Sequence, residues 1–188
     1  QTINKGKIIV NNENSIGIDF GSYQGGSVDT NPYVVVFPGY VEVNGSNNYG
    51  LRIANIFTSD PTYYAASKID GTNQGNGGIV VKGTKNVGVS LSKQIGSNLI
   101  VNISNLNISV DGIEGIGILR RSDYAQTGNM VFSGTHIQTL DFGANAIRSV
   151  LLRSDNGNIT LDRNITINKG LGNNVVLQAN GTGTSVIN

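Results

Sequence analysis

Three long inserts of this 188-residue chain collect the side chains best suited to recognising a ligand. They span residues 21–32, 58–76 and 120–128, and they hold four of the seven tyrosines. Tyrosine and arginine dominate recognition surfaces because they combine apolar area with directional hydrogen bonds. The candidate ligand-binding residues are Tyr23, Tyr63, Tyr64, Lys68, Arg120, Arg121, Asp123 and Tyr124. The alternative is that these segments are ordinary turns whose tyrosines cover the flank of the fold.

The sequence contains no recognisable catalytic or metal-binding pattern. Glycoside hydrolysis usually needs two carboxylates facing each other across a cleft, whereas Asp60, Asp70 and Asp123 are scattered over the inserts. The single histidine, His136, precedes a predicted strand and is better explained as a strand residue than as a catalytic base. The chain has no cysteine, so disulfides and thiolate metal ligands do not apply. We therefore predict no enzyme activity, no cofactor and no metal.

The inserts interrupt a repeated pattern of 15 residues. Four copies align without a gap at residues 6–20, 39–53, 77–91 and 106–120, and their starts lie 33, 38 and 29 residues apart. Spacings of this size are typical of repeat architectures. A weaker fifth copy is predicted at residues 135–149, where Ile137, Ala146 and Ile147 keep the pattern.

Each copy contains two runs in which apolar and polar residues alternate, as in a strand with one buried face. The runs are separated by a pair of residues that tolerates a positive φ, so a turn with a left-handed residue is expected there. These pairs are Asn11-Asn12, Asn44-Gly45, Lys82-Gly83 and Asp111-Gly112. The second run always contains a glycine, and we expect a neighbouring repeat to press on that position. The four glycines are Gly17, Gly50, Gly88 and Gly117.

Two runs and a third short strand in each repeat predict an all-β chain folded as a parallel β-helix (solenoid) of about five to six coils. The fifth coil is expected to use residues 136–140, 146–152 and 158–167 for its strands. Antiparallel hairpins are the alternative, because Asn-Gly and Asp-Gly also form hairpin turns. Recurrence of the same columns in gapless register favours the β-helix, and the lack of a six-residue period argues against the left-handed type.

Residues 1–188 are interpreted as a single β-helix segment, and neither end shows the polar cover that a solenoid requires. The segment is therefore expected to be part of a longer repeat protein. All three inserts follow the same strand of the repeat, so they are expected to project from one edge.

Arg120 falls in the column of Phe20, Ile53 and Leu91. Because an interior arginine is costly, the strand is expected to end at Leu119, with Arg120 turned outward.

Composition narrows the range of partners. The net charge is only +1, which gives no electrostatic case for nucleic-acid binding. No apolar run approaches the length of a membrane span, so direct membrane insertion is not expected.

The segment GNITLDRNITINKGLGNNVVLQANGTGTSVIN, taken with the Gly-x-Ile repeats, resembles the passengers of Gram-negative type V autotransporter adhesins, particularly the large fusobacterial ones. This resemblance implies a right-handed β-helical stalk that is exported across the outer membrane to the cell surface and contributes to virulence. It also implies attachment to host cells or other bacteria, with a surface protein or glycan as the partner. The alternatives are a carbohydrate-active β-helix enzyme (a polysaccharide lyase or hydrolase) and a passive structural stalk.

Overall fold

The computed structural model describes fifteen stretches of the chain, in which twenty strands form. The described residues are 2–3, 7–24, 34–36, 40–57, 68–70, 78–91, 94–95, 100–104, 107–121, 129–132, 138–155, 158–161, 165–168, 172–180 and 185–187. The strands are β1 (Thr2–Ile3), β2 (Lys7–Val10), β3 (Ile16–Gln24), β4 (Val34–Val36), β5 (Tyr40–Val43), β6 (Tyr49–Phe57), β7 (Lys68–Asp70), β8 (Gly78–Thr84), β9 (Val87–Leu91), β10 (Gln94–Ile95), β11 (Ile100–Ser104), β12 (Asn107–Ile113), β13 (Ile116–Arg120), β14 (Asn129–Phe132), β15 (Gln138–Phe142), β16 (Val150–Asp155), β17 (Ile159–Leu161), β18 (Ile165–Asn168), β19 (Val175–Asn180) and β20 (Ser185–Ile187).

The strands form three sheets, and the chain visits them in a fixed rotation. Sheet 1 has the order β2-β5-β8-β12-β15-β18. Sheet 2 has the order β3-β6-β9-β13-β16-β19, with β10 pairing with the end of β6. Sheet 3 has the order β1-β4-β7-β11-β14-β17-β20. Each passage through sheets 1, 2 and 3 is one repeat, so repeat 1 is β2–β4, repeat 3 is β8–β11 and repeat 6 is β18–β20.

Every named strand pair in these sheets is parallel. The described residues contain no helix. The prediction of an all-β chain with parallel strands is therefore confirmed, and antiparallel hairpins are wrong for the described strands. None of the described residues belongs to a helix long and apolar enough to cross a lipid bilayer.

The core consists of columns in which each apolar side chain stacks on its equivalent in the next repeat. In sheet 1, Val41, Ile79 and Ile108 are neighbours in register and are no more than 1% exposed. In sheet 2, the column of Leu51, Val89, Ile118 and Leu152 is buried in the same way. Burial of each such side chain stabilises the fold by about 1.5–3 kcal/mol before the opposing entropy is counted.

Repeat 5 departs from the predicted alignment. Val110 pairs with Phe142 at a spacing of 32 residues, whereas Ile113 pairs with Ile147 at a spacing of 34. Two extra residues are therefore inserted in the turn that joins sheets 1 and 2, and a gapless fifth copy at 135–149 is wrong. The predicted strands 136–140 and 146–152 are observed as β15 and β16, a few residues later. The predicted strand 158–167 is two strands in different sheets, β17 and β18.

The recurring glycines of sheet 2 lie where neighbouring repeats leave no room for a side chain. A Cβ atom on Gly88 would lie 2.6 Å from the carbonyl oxygen of Gly117 and closer still to Cγ2 of Ile79. A Cβ on Gly17 would lie 2.7 Å from the carbonyl oxygen of Gly50, and a Cβ on Gly50 would lie 2.6 Å from that of Gly88. The expectation that a neighbouring repeat presses on this column is confirmed. In repeat 5, Leu151 takes the position and is fully buried.

Left-handed residues form a second column in the turn between sheets 1 and 2. Gly45 and Gly83 have positive φ, as the sequence predicts, but Asn12 and Gly112 at the equivalent positions do not. The residues with a φ of 52–56° two positions further on were not predicted; they are Asn14, Asn47, Lys85, Glu114 and Arg148. Backbone hydrogen bonds to the next repeat hold this conformation, as from Lys85 N to Ile113 O at 2.8 Å.

A ladder of buried amides and hydroxyls closes the same turn. Oδ1 of Asn86 accepts a hydrogen bond from the backbone N–H of Asn48 at 2.8 Å, and Oδ1 of Asn48 accepts one from Ser15 at 2.7 Å. Nδ2 of Asn86 donates to the carbonyl oxygens of Gly45 and Lys82. Ser149 and Asn174 continue the pattern in repeats 5 and 6. Buried polar groups that are fully bonded in this way fix the geometry of the turn.

We predict that Gly88→Ala lowers the free energy of unfolding by about 1–3 kcal/mol, because the added methyl group overpacks a rigid site against backbone. Chemical denaturation monitored by circular dichroism measures the change. Gly115→Ala is the matched control, since its Cβ would meet side-chain atoms and no backbone: methyl groups of Val110 and Val81 at 2.9 and 3.2 Å, and the Ser149 hydroxyl oxygen at 3.6 Å. An equal loss in both variants would contradict the packing argument.

We predict that Asn86→Ala also lowers the free energy of unfolding by about 1–3 kcal/mol, because buried backbone groups lose their partners. The control is Asn11→Ala, which removes an exposed side chain that accepts one hydrogen bond from Asn44. The control should change the free energy by no more than about 0.5 kcal/mol. Denaturation of both variants under the same conditions tests the ladder, and a neutral Asn86→Ala would refute its contribution.

Candidate functional site

All three predicted inserts follow a strand of sheet 2 and precede a strand of sheet 3. They connect β3 to β4, β6 to β7 and β13 to β14. The expectation that the inserts project from one edge stays a prediction. Their bounds change, however, because β3 continues to Gln24 and β7 lies within the predicted insert 58–76. The remaining connections at this junction are shorter, as between Ile95 and Ile100 in repeat 3.

The structure places only part of the predicted binding set. Tyr23 lies in β3, in register with Ile56, and Lys68 begins β7 in register with Val34. Arg121 is exposed directly after β13. The other predicted residues lie outside the described part of the chain; they are Tyr63, Tyr64, Asp123 and Tyr124. The binding set as a whole therefore stays a prediction.

Arg120 is the residue whose predicted environment is wrong. It is the last residue of β13, in register with Leu91 and Ser154, and its exposed fraction is 7%. Burial lowers the pKa of Arg120 to about 10. The strand extends one residue beyond Leu119 because both neighbouring strands continue alongside it. Arg120 is therefore not paired with Arg121 on an outer surface for binding an acidic ligand.

A polar cluster on sheet 1 contains the strongest pKa shifts among the described carboxylates. The Glu42 carboxylate accepts hydrogen bonds from the Tyr40 hydroxyl at 2.8 Å, Lys82 at 3.0 Å and Asn44 at 3.1 Å. These bonds, that of Tyr40 foremost, lower the pKa of Glu42 to about 2 against the opposing effect of burial. Burial and the bond to Glu42 raise the pKa of Tyr40 to about 12. A carboxylate held ionised in this way links repeats 2 and 3 and is a poor general acid.

An open groove of about 490 Å³ lies where the turns between sheets 1 and 2 cross repeats 3, 4 and 5. Lys82 and Asp111, which are neighbours in register, form one row of its lining. Thr84, Ile113 and Ile147, which are also neighbours in register, form a second row. Gly83 and Gly112 lie between these two rows, and a Cβ on either would meet neighbouring backbone, on Gly112 at 2.5 Å from Gly83 O and on Gly83 closer still to Gly45 O.

The two extra residues of repeat 5 form the end of this groove. Five residues separate Val110 from Ile116 in repeat 4, whereas seven separate Phe142 from Val150 in repeat 5. The longer turn carries Asn145 into the groove, where the Asp111 carboxylate fixes it. One Asp111 oxygen accepts from the Asn145 backbone N–H at 2.7 Å, and the other accepts from its side chain at 3.2 Å.

Sequence reasoning missed the groove, although one signal was present. The predicted fifth copy kept few of the repeat's residues, which indicated a local change in length. Placing that change required the register of β12 with β15, which positions Asp111 next to the longer turn. Within the described part of the chain, no group of three or more histidine, cysteine or acidic side chains could hold a metal ion.

The comparisons with known proteins add no further identification. No protein family matches the chain, no curated protein is significantly similar to it, and no solved structure matches it significantly. The case for function therefore rests on the fold, the position of the inserts and the groove.

The shifted pKa of Glu42 predicts an acid-dependent loss of stability. A carboxyl with a lowered folded-state pKa stabilises the fold above its unfolded value, and this contribution is lost as the pH falls through the folded value. We expect the loss as the pH falls from about 4.5 to about 2. Glu42→Gln should flatten this part of the stability profile, whereas the exposed control Glu13→Gln should keep it. Denaturation at stepwise pH measures both, and identical profiles for Glu42→Gln and the parent would disprove the contribution.

Proposed function

We propose that the chain is a right-handed parallel β-helix and that it serves as a segment of a bacterial surface adhesin. The observation that carries the fold is the rotation of the chain through three parallel sheets in the same order, repeat after repeat. Consecutive strands of one sheet are joined through the other two sheets, and crossovers between parallel strands are right-handed in about 98% of cases. A crystal structure with left-handed winding would refute the proposed hand.

The placement of the inserts supports the adhesive function. They occur at one junction of the repeat, while the junction between sheets 1 and 2 keeps short, hydrogen-bonded turns in repeats 1 to 4. In a solenoid, insertions at one position stack along one edge and commonly form its binding face. The predicted recognition residues fall in or beside these inserts. We infer that this edge attaches to a protein or glycan on a host cell or another bacterium.

The resemblance to autotransporter passengers is consistent with this proposal and supplies its cellular setting. The segment would act at the cell surface after export across the outer membrane. A continuous interior of stacked Ile, Val and Leu stabilises such a rod without disulfides, in agreement with a chain that lacks cysteine.

A passive stalk is the second candidate function, and the regular ladder favours it, because the ladder stabilises the rod without contributing to recognition. A carbohydrate-active enzyme has less support. Of the three carboxylates considered for catalysis, Asp70 lies in β7, while Asp60 and Asp123 lie outside the described residues.

Shortening one insert tests whether the edge formed by the inserts binds a partner. Residues 96–99 join β10 to β11, so a connection of that length suffices between sheets 2 and 3. We predict that replacing residues 58–67 by the sequence of 96–99, GSNL, preserves the circular dichroism spectrum and melting temperature. The same variant should lose binding to host cells, bacterial cells and a glycan array, because it lacks Tyr63 and Tyr64.

Tyr49→Ala is the matched control, since Tyr49 lies in β6 outside the inserts. It should retain the binding of the parent chain. If the folded parent binds none of these surfaces, the adhesive function is refuted and the stalk is favoured. If the shortened variant binds as well as the parent, recognition does not depend on this insert.

A further inference from the structure

We propose that the groove bounded by Asp111 and Asn145 is a binding site for a neutral saccharide. This site is separate from the proposed adhesive edge, because it lies at the junction of sheets 1 and 2 rather than of sheets 2 and 3. Its volume of about 490 Å³ falls within the usual range for small-molecule sites, about 300–1,000 Å³.

The charges in the groove favour an uncharged ligand. Its lining contains one cation, Lys82, and one anion, Asp111, which lie in register with each other. Lys82 already contacts the Glu42 carboxylate at 3.0 Å, and Asp111 already accepts two hydrogen bonds from Asn145. No excess of either sign is left in the lining to attract an acidic or basic ligand.

The polar groups offer a saccharide both donors and acceptors within one small area. A carboxylate has about four lone-pair positions, so Asp111 keeps about two after binding Asn145. The Lys82 ammonium has three donors, of which one is directed at Glu42. Thr84 also lines the groove, and its hydroxyl adds a group that can both donate and accept. Vicinal hydroxyls of a sugar ring can use such a mixed set.

Two isoleucines of the lining provide apolar contact. Ile113 and Ile147 are 40% and 49% exposed, although they lie in a chain that buries most of its described aliphatic side chains. Their positions in neighbouring repeats place them side by side on the groove wall. The C–H face of a sugar ring can cover this apolar surface while its hydroxyls meet the polar row.

An extended peptide fits the groove less well, because the backbone there is already paired. Thr84 N donates to Gly45 O at 2.9 Å, and Ile147 N donates to Gly112 O at 3.1 Å. Addition of a peptide strand needs open backbone donors and acceptors. Recognition in the groove therefore relies on side chains, as expected for a saccharide.

Isotope-edited NMR of the full chain tests the proposal. The probes are the methyl glycosides of glucose, galactose, mannose and N-acetylglucosamine, with glucuronic acid and glucosamine as charged comparators. At millimolar concentrations, at least one neutral glycoside should shift the amide signals of residues 82–84, 111–113 and 144–147. The charged sugars should bind more weakly than that glycoside.

Two substitutions locate the site and one controls for nonspecific effects. Thr84→Val removes a hydroxyl at nearly constant volume, and Ile147→Asp replaces apolar wall by charge. Each should weaken binding about tenfold, the loss expected for one good contact. Ile9→Asp makes the same chemical change at a 46% exposed isoleucine outside the groove, and it should leave binding unchanged.

Several results would overturn the proposal. They are an absence of shifts with every neutral probe, shifts confined to other residues, tighter binding of a charged sugar, and equal losses in Ile147→Asp and Ile9→Asp. Amide spectra of the variants that match the parent outside the substituted region establish that each variant is folded.

Discussion

Each position of the repeat contacts its own equivalent in the next repeat, and this in-register stacking decides which residues a position can hold. In repeats 1 to 4, a Cβ at each sheet 2 glycine would lie against the carbonyl oxygen of its neighbour, whereas repeat 5 holds Leu151 at this position. Charged columns alternate in sign for the same reason. Glu114 contacts Arg148 at 2.7 Å and Lys85 at 3.9 Å, and Asp19 contacts Arg52 at 2.5 Å. Like charges stacked directly would destabilise the sheet.

The repeats differ from one another at two junctions, and these differences change which side chains lie on the surface. At the junction of sheets 2 and 3, the chain tolerates inserts because the strands on either side keep their register. At the junction of sheets 1 and 2, the turn of repeat 5 has two extra residues and contributes Ala144 and Asn145 to the lining of the groove. The regular part of the molecule acts as a rigid frame, and small changes in turn length place functional groups on it.

Much of the fold could be predicted from the sequence because its columns are periodic. Alternation predicted the sheet 1 and sheet 2 strands, and the repeated glycines predicted close contact between repeats. The buried Asn48 and Asn86 were not recognised, because an asparagine in a turn has the same sequence signature whether it faces solvent or closes a ladder. Arg120 was misplaced because its environment is determined by the neighbouring strands rather than by its own polarity. The groove depends on two residues whose insertion point is visible only once the strands are paired.

The amide ladder has a gap at Gly115, which has no side chain to accept a hydrogen bond from the residue stacked before it. Ser15, Asn48 and Asn86 are connected on one side of this position, and Gly115, Ser149 and Asn174 on the other. In this column, the side-chain hydrogen bonds therefore form two blocks of three repeats, joined there by backbone hydrogen bonds such as Ile116 N to Asn86 O. Repeats of this kind interact mainly with their nearest neighbours. Separation of repeat 3 from repeat 4 would therefore leave the side-chain hydrogen bonds within each block intact. At Gly115, two series of side-chain hydrogen bonds therefore meet without a side-chain hydrogen bond between them in this column.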